Sequence, residues 1–174
     1  MSFITTEQAN LVTKIAAILT AANETLAVAE SSAGGLVSAC LLSMPGASSF
    51  FIGGSVLYSY RIREQILETG KEELRLFKGS TPELFLDMAQ KFRKKLGTDW
   101  VIGEGGAAGP AKSPYGHNAG YTVLAVAGPI RRAKIIETGK SNRIENMSEF
   151  TTALLRFFLD ILEERRSLEG TERR

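Results

Sequence analysis

The chain has 174 residues, 44% of them apolar and 23% charged, with a net charge of +2. A chain of this length builds one domain with a sizeable core, and so small a positive surplus argues against nucleic acid as a partner. One cysteine (Cys40) excludes an internal disulfide, and with one histidine (His117) it leaves too few soft ligands for zinc, so neither metal nor cofactor is expected. No apolar run approaches the roughly 20 residues that span a bilayer. The start, MSFITTEQANL, lacks a charged-then-apolar signal pattern, so the expectation is a cytoplasmic protein without a membrane partner.

In chain order, Thr5 and Gln8 form a capping box ahead of a helix to about Asn23, with Leu11, Val12, Ile15, Ile18 and Leu19 on one face. A strand over 26–29 runs into Glu30, two serines and two glycines, and a second helix follows over 34–44, placing Cys40 in the core. The 50–58 stretch reads as a strand, with Gly53-Gly54 marking a bulge or a close backbone approach. A short helix over 62–67 precedes a stronger one that starts at Thr81-Pro82-Glu83 and stops at Gly97. Strands over 100–103 and 121–127 come next, then an antiparallel strand over 133–138 reached through the Gly128-Pro129 turn. A last helix over 145–164 ends in a charged tail, 166–174, that is expected to fray. Strands alternating with helices give a layered α/β domain over 1–165.

The chemistry concentrates in two places. The turn after the first strand sets Ser31 and Ser32 at the carboxyl end of a strand and the start of a helix, where α/β proteins bind ligands and stabilise developing negative charge. A serine there can attack a carbonyl, or it can simply cap the helix. Glu30 can orient a substrate or tie down the turn. The second place is GEGGAAGP, 103–110, read as a loop whose glycines let backbone approach a ligand closely. It is no Walker motif, because no Gly-Lys-Ser/Thr closes it. Tyr58, Tyr60, Arg61 and Arg63 offer groups for phosphate or carboxylate, or a solvated helix start. Arg131, Arg132 and Lys134 read as surface charges, and His117 as a solvated loop histidine.

Five segments in order resemble the CinA C-terminal domain family, the nicotinamide mononucleotide deamidases. They are AESSAGG (29–35), PGASSFFIGGSVLYSYRIR (45–63), STPELFLDMA (80–89), GAAGP (106–110) and NAGYTV (118–123), covering about 8–160. The resemblance implies a three-layer α/β/α sandwich with a mixed, mostly parallel sheet, in a homodimer. With no counterpart to the family's amino-terminal partner domain, it implies the stand-alone form. The implied activity is metal-free hydrolysis of the nicotinamide carboxamide of a pyridine mononucleotide, releasing ammonia. Ser31 maps to the nucleophile, Tyr58 to the family's tyrosine and Arg143 to an arginine near the last helix. Backbone amides at Gly34 and Gly35 would hold the oxyanion, and Arg63 or Arg143 the phosphate. Glu30, Ser32, Gly105, Gly106, Ala108 and Gly109 would complete the substrate site.

Three positions depart from the family pattern. The lysine thought to act as base aligns with Arg63, which cannot lose a proton in a protein. Cys-Thr after the nucleophile is Ser32-Ala33, and a threonine before the AGP loop is Gly105. A positioned base is worth about 10²- to 10⁴-fold in rate. Two expectations follow. One is an amidohydrolase with a substitute base, for which Glu30, Tyr58 and Tyr60 are the candidates, or with Ser32 attacking instead. The other is an inactive member that binds a nucleotide or a protein.

Overall fold

A computed structural model describes residues 3–70, 72 and 79–172, with side chains given to 169. The elements are α1 (Thr6–Ala22), β1 (Leu26–Glu30), α2 (Leu36–Leu42), a short 3₁₀ turn (Ala47–Ser49), β2 (Phe51–Val56) and α3 (Tyr60–Leu67). After them come α4 (Pro82–Leu96), β3 (Trp100–Ala107), β4 (Tyr121–Ala127), β5 (Arg132–Glu137) and α5 (Arg143–Glu172).

The expected helix signals act where they stand. Gln8 N donates to Thr5 Oγ1 at 3.1 Å while Thr5 N donates to Gln8 Oε1 at 2.9 Å, so the box satisfies two N–H groups at the start of α1. Thr81 caps α4, Pro82 opens it, and Gly97 ends it at φ +66°.

The sheet order is β2-β1-β3-β4-β5. β1 pairs in parallel with β2 and β3, and β4 pairs antiparallel with β3 and β5. Four strands therefore point one way and β4 alone points the other, which is the mixed, mostly parallel sheet expected.

Side chains alternate along each strand, as the pleat requires. Leu26, Val28, Trp100, Ile102, Leu124 and Val126 pack with α1, α2 and α5, whereas Ala27, Ala29, Val101, Val123 and Ala125 pack with α3 and α4. A sheet buried on both faces needs helices on both, and the result is a three-layer sandwich. Trp100 anchors the first layer, edge-on to Phe158 at 5.4 Å, with its indole N–H on Glu24 at 2.9 Å. Cys40 is buried in the same layer.

Gly53-Gly54 does what its pattern implied. The β1–β2 register shifts just before it, where Ile52 is skipped between Phe51 and Gly53, and a Cβ on Gly54 would meet Ser38 Oγ at 2.3 Å. One expectation fails. The glycine cluster after Gly103 is strand as far as Ala107, not loop, because the β4 backbone pairs closely along it. α5 runs past the expected end at 164 to Glu172, with the Arg165–Glu169 pair one turn apart at 3.5 Å, while 173–174 lie outside the described residues.

From β1 the chain leaves to β2 on one side, and it later returns to β3 on the other. The carboxyl end of β1 is thus where the strand order reverses, the position at which open α/β sheets form a crevice. Both sequence clusters end there, Glu30–Ser32 on β1 and Glu104–Ala107 on β3.

Candidate functional site

The site is organised by two buried carboxylates at adjacent strand ends. Glu30, with no solvent exposure, accepts from Gly35 N (2.9 Å), Val37 N (3.1 Å), Ser38 N (3.1 Å) and Ser38 Oγ (2.6 Å). A helix start leaves N–H groups without partners inside the helix, and Glu30 satisfies those of α2. Of the two roles open to Glu30, tying down the turn is the one it performs. Its carboxylate is fully buried, with both oxygens engaged by these four donors.

Glu104, the second carboxylate and also fully buried, escaped the sequence reading. Its Oε1 accepts from Ser31 N and Ala33 N, both at 2.7 Å, and its Oε2 accepts from Ser32 Oγ at 2.7 Å and Thr122 Oγ1 at 3.4 Å. Burial pushes its pKa above the ordinary carboxylate range, against the hydrogen bonds from Ala33, Ser32 and Ser31. The available signal was a lone charge between glycines at the end of an apolar strand. Asn146 is a further residue without a sequence signal. Buried on α5, it donates to Ala108 O at 2.8 Å and Lys140 O at 3.0 Å, and so fixes the loop after β3.

Ser32 Oγ both donates to Glu104 and accepts from Gly106 N at 2.9 Å, so its hydroxyl locks β1's turn to β3. Ser31 is placed differently. Its Oγ accepts from Arg63 Nη2 at 3.4 Å, and among the described residues no proton acceptor lies at hydrogen-bond distance from it. Arg63 is itself buried, with Nε donating to Leu57 O at 2.8 Å and its guanidinium 5.5 Å from the Tyr60 ring and 5.7 Å from the Phe85 ring. Burial pulls the Arg63 pKa below the usual range, with Tyr60, Tyr115 and Glu104 opposing.

The proposed oxyanion amides are already engaged. Gly34 N donates to Ser31 O at 3.2 Å and Gly35 N to Glu30. Both glycines sit at positive φ, +68° and +102°, so their role is the turn itself. Tyr60, a second candidate for the base, is held in its protonated form. Burial and its bond to Tyr115 (Oη to Oη, 2.6 Å) push its pKa up to about 12. His117, expected in solvent, is half-buried and stacked on Tyr121 at 4.0 Å.

A cleft of about 250 Å³ opens beside the turn, lined by Ser32, Tyr58, Arg143, Lys112 and the backbone of 106–111. Tyr58 is 62% exposed there, and Arg143 bridges the cleft from Gly109 O (2.9 Å) towards Tyr58 Oη (3.5 Å). The structure therefore brings Ser32, Tyr58, Gly106, Ala108, Gly109 and Arg143 together, and sets Ser31, Arg63 and Gly105 in a sealed corner behind them. Gly106 must lack a side chain because a Cβ would meet Tyr121 O at 2.0 Å. Among the described residues no group of three or more His, Cys, Asp or Glu could hold a metal ion, and no helix is long and apolar enough to cross a membrane.

The family model of the CinA C-terminal domain matches residues 8–162, most of the chain. The protein belongs to that family. A CinA-like protein of Parasynechococcus marenigrum is 37% identical over 120 residues, which are 69% of this chain and 29% of that protein. One from Prochlorococcus marinus is 34% identical over 130 residues, 73% of this chain and 31% of that protein. The chain thus spans about a third of the length of the curated relatives it matches. Among solved structures, a competence-damaged protein (CinA) superfamily protein from Enterobacter cloacae superposes with TM-score 0.83 at 26% identity, covering 91% of this chain and 93% of that one. A competence or damage-inducible protein from Enterobacter asburiae matches the fold with TM-score 0.83, at 24% identity over 89% of this chain and 98% of that one.

Proposed function

We propose that this CinA-fold chain binds a phosphate-bearing nucleotide, a pyridine mononucleotide by family resemblance, without hydrolysing its amide. One observation carries the reading: the only side chain at hydrogen-bond distance from Ser31 Oγ among the described residues is Arg63, a donor that cannot take a proton. A serine nucleophile needs its proton removed as it attacks. The engaged amides of Gly34 and Gly35 support the same reading, since they leave the expected oxyanion donors without a free N–H. Binding is supported by the open cleft, where the cations of Arg143 and Lys112, the Tyr58 hydroxyl and a glycine-rich strand end face one space.

A second reading has its own observation. Ser32 Oγ donates to Glu104 at 2.7 Å and lines the cleft, which is a hydroxyl paired with an acceptor. Against it, the same oxygen already accepts from Gly106 N, and Glu104 is enclosed by four donors.

The test is ammonia release from nicotinamide mononucleotide at high protein concentration, run beside titration calorimetry with the same compound. The expected result is heat of binding with no release above a Ser31→Ala blank. Release abolished by Ser31→Ala overturns the reading in favour of an amidohydrolase. Release that survives Ser31→Ala and disappears in Ser32→Ala supports the second reading. The proposal includes a homodimer in the cytoplasm, the first of which light scattering measures.

A further inference from the structure

The corner that holds Ser31 is closed by a side chain with no role assigned from the sequence, Phe85 of the STPELFLDMA segment. Phe85, on the first turn of α4, is 1% exposed and belongs to the core layer formed by α3 and α4. A Cβ built on Gly105 would lie 2.2 Å from Phe85 Cζ and 2.9 Å from Ser31 Cβ. The Phe85 ring edge and the serine therefore face each other across the position where residue 105 lacks a side chain. The Arg63 guanidinium completes the enclosure, on the Phe85 ring at 5.7 Å and on Ser31 Oγ at 3.4 Å. Ser31 retains 5% exposure, and the cleft beside it is walled by Ser32 instead.

We propose that Phe85 determines what the Ser31 corner admits: its ring occupies the space beside the serine, so a flat amide-bearing ring is kept out and a ligand seated in the cleft stops at Ser32. Glycine at 105 and phenylalanine at 85 are then one steric unit. Any side chain at 105 needs the volume the ring fills, and the ring reaches the serine only because 105 is glycine. This deepens the binding reading above, and it rests on that reading only for the phosphate end of the ligand.

The experiment uses the full chain with Phe85→Ala, Phe85→Leu and Gly105→Ala, singly and as Phe85→Ala/Gly105→Ala, with free nicotinamide as probe. A hole left by an aromatic ring in a packed core binds a small flat molecule. Nicotinamide is expected to raise the Tm of Phe85→Ala by several degrees and to leave wild type unmoved. Gly105→Ala is expected to lower Tm in the wild-type background by several degrees more than in the Phe85→Ala background, because the ring it meets is gone. Equal Tm losses in the two backgrounds, or a folded Phe85→Ala that nicotinamide does not stabilise beyond wild type, overturn the proposal. Where Phe85→Ala does not fold, Phe85→Leu supplies the same comparisons with a smaller hole. The cleft reading fails separately: nicotinamide mononucleotide would then bind Phe85→Ala no tighter than nicotinamide does, since the phosphate would find no site.

Discussion

Ser31 and Ser32 are adjacent in the chain and opposite in surroundings. Ser32 joins the turn after β1 to β3 through one oxygen, giving its proton to Glu104 and taking the Gly106 N–H. Ser31 contributes a backbone N–H to the same glutamate, while its hydroxyl has one long contact with an arginine. The first arrangement is what a fold needs from a tight turn, every buried polar group paired. The second leaves a hydroxyl with no proton acceptor at hydrogen-bond distance among the described residues. A string such as AESSAGG thus has structural work for most of its residues. Its glutamate, its second serine and its glycines are accounted for by hydrogen bonds and positive φ, without appeal to a reaction.

Glu104 is the point at which the two serines' surroundings are most sensitive to substitution. Replacing it by alanine strips the acceptor from Ser31 N and Ala33 N and leaves the Ser32 and Thr122 hydroxyls to reorient. Each buried donor left alone costs about 1–3 kcal/mol, so Glu104→Ala is expected to lose roughly 3–5 kcal/mol in urea unfolding. Glu104→Gln keeps one oxygen for the two backbone donors and offers its NH₂ group to hydroxyl oxygens that can turn to accept, so a loss of about 1 kcal/mol is expected. The pair also gives a pH test. Burial raises the folded-state pKa of Glu104 above its ordinary value of 4.5, so the folded chain holds this proton when the unfolded chain has released it. The contribution is then fully present below pH 4.5 and falls as pH rises towards the folded value. Wild type should lose stability relative to Glu104→Gln on moving from pH 4.5 upward, and a difference that grows in the opposite direction would mean the carboxylate is held ionised.

The importance of Glu104 also shows what the sequence could and could not reveal. Local signals were legible wherever a few neighbouring residues settle the outcome: the Thr5/Gln8 box, Thr81-Pro82 and Gly97 around α4, and the apolar runs of β1 and β4. The glycines after Gly103 misled because they resemble a loop locally, while their cause is long-range. Gly106 is glycine because the β4 backbone passes within reach, and Gly105 because Phe85 occupies its side-chain space. Glu104 finds its partners more than 70 residues away at Ser31, Ser32 and Ala33, so only the folded sheet brings them together. The charged end of α5 gives no apolar stripe to read, and it stays helical on pairs such as Arg165–Glu169.

Ser32→Ala is a milder probe of the same network. It removes one donor to Glu104 and leaves Gly106 N without its acceptor, but it spares both backbone bonds to the glutamate. A loss of about 1–2 kcal/mol is expected in urea unfolding, smaller than for Glu104→Ala because one buried donor, Gly106 N, is left alone instead of the two backbone donors that the glutamate serves. A loss as large as that of Glu104→Ala would show that the hydroxyl, and not the carboxylate, organises the turn.

Ser31→Ala should change least. Alanine keeps the Cβ that faces Gly105, and it keeps the N–H that Glu104 accepts. Only the 3.4 Å contact from Arg63 Nη2 disappears, and the arginine retains its 2.8 Å bond to Leu57 O. A change within about 0.5 kcal/mol is expected, the size of substitutions that touch no satisfied network. A loss above about 1.5 kcal/mol would place a real partner on the Ser31 hydroxyl. In a serine whose chemistry depends on finding a proton acceptor, that partner would reopen the case for an amidohydrolase, so the near-silent variant bears most directly on function.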